Sequence, residues 1–242
     1  MSTGGERPSA AARHISVRCR EPLRGDVAIA QVLAEIPDDH ALKGMFFRRY
    51  VDALGAELDV LLPTLDAPPR LGRYMPFSTY PLADYLRLFD RVARSRYAGF
   101  GVREAYRMLA RSEVEVFVAS TLGRVTFSLL QDPAAALLKY PESFGVLAFG
   151  PKVRAERAGE GVCVVFEPYR GALEYAIGVL EGLVLAFDQE PALEIEHGDA
   201  RTELLVTWST HDAGAPSIRP SMPPPSMPPS SAGRPPSSRK PR

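Results

Sequence analysis

The apolar residues of this chain change their spacing near Tyr140, and that change limits the fold more than any other feature. Before it, apolar side chains recur at helix spacing. After it they fall into two strand pairs with one apolar helix between them. Phe144 to Arg157 and Val162 to Glu167 are extended runs joined by Ala158-Gly159-Glu160-Gly161, a hairpin connection. Tyr169 to Phe187 reads as a helix with Leu173, Ala176, Ile177, Leu180 and Val184 on one side. Ala192 to Glu196 and Glu203 to Trp208 make a second hairpin around His197-Gly198-Asp199. The alternation in Leu193-Glu194-Ile195-Glu196 fits a sheet with one wet face. This order predicts an α+β domain, with N-terminal helices packed on a mainly antiparallel four-stranded sheet in ββαββ order.

Upstream, Gly25 to Ile36 suits a short helix that stops near Pro37. Asp38 or Asp39 is expected to cap a second helix, because a carboxylate accepts from first-turn amides. Leu42, Met45, Phe46, Tyr50, Ala53 and Leu54 follow its spacing, and Gly55 stops it. Leu62 to Arg73, with three prolines, reads as a loop. A further helix is expected to start at Thr79-Tyr80-Pro81 and to bury Tyr85, Leu86, Phe89 and Val92. Gly99 and Gly101 break it. Val102, Ala105, Tyr106 and Leu109 mark the next helix. Val114 to Leu130 suits a helix, or a strand through its β-branched residues. Asp132-Pro133 opens a short helix expected to end near Tyr140-Pro141.

The ends differ in character. Residues 1–14 show no apolar pattern and are expected to be disordered. Residues 15–210 form one domain. Residues 211–242 are rich in proline and serine, repeat Ser-Met-Pro-Pro, and finish among Arg234, Arg239, Lys240 and Arg242. Such a segment has too little to bury to offset its ordering entropy, so it is expected to be a disordered tail or a docking segment.

Composition removes several chemistries. The 29 basic and 29 acidic residues cancel, which argues against a nucleic-acid grip on a basic face. Cys19 and Cys163 are too few for a disulfide framework or a four-cysteine zinc site, and Cys163 is expected to be a small buried apolar residue. The most apolar stretch, Ala176 to Phe187, contains Glu181 and is shorter than the roughly 20 residues a membrane span needs. A cytoplasmic protein with no leader and no membrane span is the simplest expectation.

The reactive residues are scattered. His14, His40, His197 and His211 show no metal-binding spacing and are expected at the surface. None sits inside a strongly apolar helix, so no haem ligand is expected. No G-x-S-x-G occurs, and Gly99-Phe100-Gly101 is not a phosphate loop. Glu113 and Glu115 are expected on a solvated face. So are Arg87, Arg91, Arg94 and Arg96, with an anion or partner contact as the alternative. Gly178 and Gly182 leave a flat stripe on an apolar helix, which needs a close neighbour; the domain's own sheet is expected there, with a second copy as the alternative.

Glu104-Ala105-Tyr106-Arg107-Met108-Leu109-Ala110-Arg111, Phe117 to Arg124, Tyr175 to Gly182 and the closing Leu204-Leu205-Val206-Thr207-Trp208 carry a resemblance. Together they resemble the myxobacterial paralogous family catalogued as domain of unknown function 2378, over most of residues 15–208. The resemblance supplies no activity and no site residues. It implies a fold similar to haem nitric-oxide-binding sensors, four-vinyl-reductase-type binders and trafficking-complex subunits. The histidine ligand and tyrosine-serine-arginine signature of the haem sensors are not found in this chain.

Together these observations predict a non-enzymatic module with no cofactor and no metal, which senses an apolar small molecule or contacts a protein. A dimerising scaffold without a small ligand is the alternative, and an enzyme with a spatially assembled site is a third class. Tyr106, Tyr175, Gly178 and Gly182 are the candidate pocket or interface residues.

Overall fold

The computed structural model describes residues 13–210 other than 71, 120 and 151. In chain order the elements are β1 (Arg13–Arg18), α1 (Ile29–Glu35), β2 (Ala41–Lys43), α2 (Met45–Leu54), α3 (Leu58–Leu61), β3 (Thr79–Pro81), α4 (Leu82–Arg96), α5 (Val102–Ala119), α6 (Thr121–Ser128), α7 (Pro133–Leu147), β4 (Ala148–Phe149), β5 (Lys152–Ala158), β6 (Gly161–Glu167), α8 (Leu173–Leu185), β7 (Gln189–His197) and β8 (Thr202–Thr210).

The larger sheet is antiparallel, in the order β1-β7-β8-β6-β5. The expected four strands become five, because β1 pairs with β7 from Arg13↔His197 to Arg18↔Ala192. Ile15 and Val17 alternate with polar residues there, so the inner face of the sheet gains one more row. Arg13 and His14 therefore belong to a strand, although the sequence places them in the N-terminal segment. Residues 1–12 and the tail from 211 lie outside the described residues.

A second sheet, β3-β2-β4, is a further correction to the expected order. Thr79-Tyr80-Pro81 pairs with Ala41-Leu42-Lys43 instead of starting a helix, and α4 begins at Leu82. Asp38 and Asp39 cap nothing: β2 follows them, and α2 opens at Gly44 with no side-chain cap. Leu42 also pairs with Ala148.

The helix begun at Asp132, whose side chain accepts from the Ala135 amide at 2.7 Å, does not stop at Tyr140. It runs through Pro141 to Leu147. Proline in a helix interior removes one hydrogen bond and crowds the preceding turn. Continuing places Tyr140 and Phe144 against Phe166, with ring centroids 6.4 and 6.3 Å away, which offsets that loss. Phe144 is thus helical, and the first strand of the hairpin begins only at Lys152.

Two apolar clusters form. One gathers Phe47, Tyr50, Tyr85, Leu88, Phe89, Tyr106 and Leu109 from α2, α4 and α5. The other gathers Val164, Phe166, Leu193, Ile195, Leu204 and Val206 from the sheet with Ile177, Leu180 and Val184 from α8. Trp208 packs half-buried at the rim of the second cluster. Helix α8 lies between the layers, and it is apolar nearly all round because it has neighbours on both sides.

Gly178 and Gly182 face α5, not the sheet. A Cβ on Gly178 would stand 2.3 Å from the Arg107 carbonyl oxygen, and one on Gly182 would stand 2.8 Å from Val114 Cβ. Beside this contact Arg107 and Glu181, both fully buried, form a two-point ion pair at 2.5 and 2.7 Å. Arg111 adds a contact to Glu181 at 2.7 Å. Arg107 also donates to the Arg18 and Glu21 carbonyls at 2.8 and 2.6 Å, so the segment leaving β1 is tied to the same pair.

Candidate functional site

An apolar cleft opens where the helical layer, α8 and the small sheet meet. Leu82 and Leu86 of α4, Tyr140 and Phe144 of α7, Phe166 of β6 and Ala176 of α8 line it, and its free space is about 60 Å³. Each wall follows from a local choice already described. The continuation of α7 past Pro141 brings Tyr140 and Phe144, and the β2–β4 pairing brings Leu42 and Ala148.

Among the described residues, two polar groups lining this cleft, the His40 imidazole at Nδ1 and the Arg170 guanidinium, have no side-chain partner. His40 is only 6% exposed, and its Nδ1 is buried with no hydrogen-bond partner. Its backbone is fixed on both sides: the His40 amide donates to the Pro37 carbonyl at 3.0 Å, and its carbonyl accepts from Leu82 at 2.9 Å. Gly150, at φ +116°, is required beside the ring, because a Cβ there would lie 2.0 Å from His40 Cδ2. Burial lowers the imidazole pKa, the Arg170 charge lowers it further, and Asp39 opposes both. His40 is therefore neutral at pH 7.

Arg170 lines the same cleft from the β6–α8 loop. That loop is held by the Tyr169 hydroxyl, which donates to the Ala172 carbonyl at 2.8 Å, and by Tyr169 packing on Phe166 at 4.9 Å. Among the described residues Arg170 makes no ion pair and no side-chain hydrogen bond. Glu35 and Asp199 share a neighbouring polar recess with it.

The inner end of the cleft is walled by Tyr85 and Tyr175. Both hydroxyls donate to Glu113 of α5, at 2.5 Å from Tyr85 and 2.9 Å from Tyr175. The Tyr50 and Tyr85 hydroxyls approach to 3.4 Å. Burial pushes the Glu113 carboxyl up to about 8, against the Tyr175 hydrogen bond and the charge of Arg49. Near pH 7 this group is mostly protonated. The solvated face expected for Glu113 is corrected: α5 turns it inward, while Glu115 is exposed.

Of the four candidate residues, Tyr175 lines the cleft. Tyr106 lies behind it, against Phe89 at 4.8 Å, and donates to Asp90 at 2.7 Å. Gly178 and Gly182 serve the α5 contact instead. Sequence reasoning missed His40, Arg170 and Glu113. The expected surface position of His40 is corrected by its burial. Cys163 is half-buried, with its thiol 3.9 Å from Glu203. The arginines of α4 are spoken for within the chain: Arg87 pairs with Asp84 and Asp66, Arg91 with Glu57, and Arg94 with Asp26 and Asp90, while Arg96 donates to the Ala53 carbonyl.

Among the described residues no group of three or more His, Cys, Asp or Glu is placed to hold a metal ion. No described helix is long and apolar enough to cross a membrane.

Solved structures share this architecture. An H-NOX protein from S. oneidensis in the Fe(II)NO ligation state superposes with a TM-score of 0.55 at 12% identity, covering 70% of this chain and 100% of that one. The Fe(II) unliganded H-NOX protein from K. algicida gives 0.52 at 14%, covering 69% and 97%. A T. tengcongensis H-NOX mutant gives 0.52 at 18%, covering 70% and 98%. At these identities the likeness is one of fold. A search of curated proteins found no match. The family model described as "Protein of unknown function (DUF2378)" matches residues 36–209, from the small sheet through the last strand, and the chain belongs to that family.

Proposed function

We propose that this chain is a non-enzymatic sensing module that takes a small apolar molecule into the cleft between α4, α7 and α8. The observation that carries this reading is the composition of the walls: aromatic and aliphatic side chains surround a few fixed polar groups, the usual make-up of a ligand site. The fold shared with H-NOX proteins supports a binding role by analogy only, since fold does not fix function. Catalysis has no support of comparable strength, because the polar groups do not converge as a nucleophile with its base. A cytoplasmic setting fits this reading.

One related structure is described as probing heme distortion in the H-NOX family. The residues of this cleft do not fit haem. Tyr140, Phe144 and Phe166 occupy the walls, and the free space of about 60 Å³ is far below the several hundred Å³ of a pocket for a large ligand. His40, which lines it, is pinned against Gly150.

The dimerising-scaffold alternative loses its surface, because Gly178 and Gly182 are covered by α5. A protein-contact reading draws instead on Val125 and Leu129 of the α6 region, which are 58% and 78% exposed.

Native mass spectrometry of the purified chain tests both readings, since it reports bound mass and stoichiometry together. A monomer carrying a small molecule of low polarity is expected. Ala148→Phe places a ring in the cleft and is expected to abolish uptake while leaving the circular dichroism spectrum unchanged. A folded Ala148→Phe protein that binds as the wild type does would remove the cleft as the site. A dimer with no bound mass would favour the protein-contact reading.

A further inference from the structure

The polar groups at the cleft narrow the chemistry of its occupant, and the following inference rests on the cleft being a ligand site. A buried imidazole nitrogen with no partner is costly, because a polar atom removed from water forfeits its hydrogen bond. His40 Nδ1 is such an atom. Its backbone and ring are fixed from three directions, by Pro37, Leu82 and Gly150, so the ring has little room to turn away. Beside it stands an arginine with no carboxylate in ion-pair reach among the described residues, on a loop clamped by Tyr169. A neutral donor and a cation unpaired among the described residues, at one mouth of an apolar space, make a complementary seat for a carboxylate carrying a short apolar tail.

We infer that the cleft binds a short-chain monocarboxylic acid, with one carboxylate oxygen at Arg170, the other accepting from His40, and the alkyl tail between Leu82, Phe144 and Ala176. The free space sets the size. A cavity of roughly 150 Å³ holds benzene, so about 60 Å³ suits a tail of about three carbons. An alcohol of the same length fills the apolar space and leaves the arginine unmatched. An amine places like charge against it.

Titration of the full chain with butanoate, butanol and butylamine, followed by the ¹⁵N resonances of the His40 imidazole, tests this. Butanoate is expected to saturate and to shift Nδ1, with butanol at least tenfold weaker and butylamine not binding. Arg170→Gln is expected to weaken butanoate at least tenfold and to leave butanol unchanged, while Arg170→Lys recovers part of the affinity. The half-exposed position of Arg170 makes both variants compatible with folding, which their amide spectra report. Equal binding of butanoate and butanol, with no effect of Arg170→Gln, would overturn the carboxylate inference and leave the apolar cleft standing. If neither binds and Ala148→Phe changes nothing, both readings fall together.

Discussion

Placing the Glu113 carboxyl among tyrosine hydroxyls in a protein interior penalises its charge more than those hydroxyls relieve it. The carboxyl rises from 4.5 to about 8 on folding, so the native state holds this proton more tightly than the unfolded chain does. Its contribution is full below about pH 4.5, is lost progressively as pH rises through that window, and is gone above about pH 8. The groups facing it are Tyr85 of α4, Tyr175 of α8, Arg49 of α2 and, farther off, Tyr140 of α7. Burial holds all three tyrosines neutral across this range. Glu113→Gln is expected to flatten the fall in stability between pH 5 and 8, whose slope cannot exceed about 1.4 kcal/mol per pH unit for one proton. Urea titrations at four pH values would measure it. Parallel curves for wild type and variant would show that this carboxyl does not carry the dependence. Glu113 also connects the cleft wall to the helical core, because each tyrosine that bonds it presents its ring to the cleft.

Helices α5 and α8 meet at a distance that only glycine permits. Gly178→Ala is therefore expected to destabilise the protein, although alanine is favoured over glycine by about 1 kcal/mol in a helix interior. The new methyl would lie 2.3 Å from a backbone oxygen, which cannot rotate away as a side-chain tip can. A lower thermal midpoint for Gly178→Ala checks this, and a raised one would mean that the helices separate easily. The sequence marked these two glycines as needing a neighbour, since a low-relief stripe is visible in composition, but which element fills it is a tertiary choice. The same limit explains the other differences. The sheet hairpins and the long helices were legible because seven or more residues repeat one period. Strands β2, β3 and β4 are two or three residues long and hold no period, so His40 looked like a surface residue at a helix start. The run Arg13–Arg18 does alternate, yet it is short and sits beside a patternless end. The inward turn of Glu113 was available in principle: Tyr106, Leu109, Ala110 and Glu113 lie on one helical stripe. Arg170 had no local marker, because its meaning comes from the cleft beside it.

At the scale of the whole molecule, the apolar interior is divided. The helical cluster and the sheet cluster share few members, and α8 stands between them with its glycine face on α5 and its aliphatic face on the sheet. The ion pair of Arg107 and Glu181 reinforces the same seam. Removing one member of a fully buried pair costs several kcal/mol, since the other charge is left without compensation. Two separate clusters would suit two regions that melt separately. The placement of α8 argues otherwise. Losing the helical layer would present Gly178, Gly182 and the Glu181 charge to water and strip α8 of half its packing. Losing the sheet would expose Ile177, Leu180 and Val184. Neither half retains a sealed interior without this helix, so heat should dismantle the described domain in one cooperative step. Differential scanning calorimetry is expected to give a single endotherm whose calorimetric and van't Hoff enthalpies agree. A resolved second peak would mean that α8 belongs to one layer alone. The burial of one helix on both sides thus makes a divided interior behave as a single thermodynamic unit.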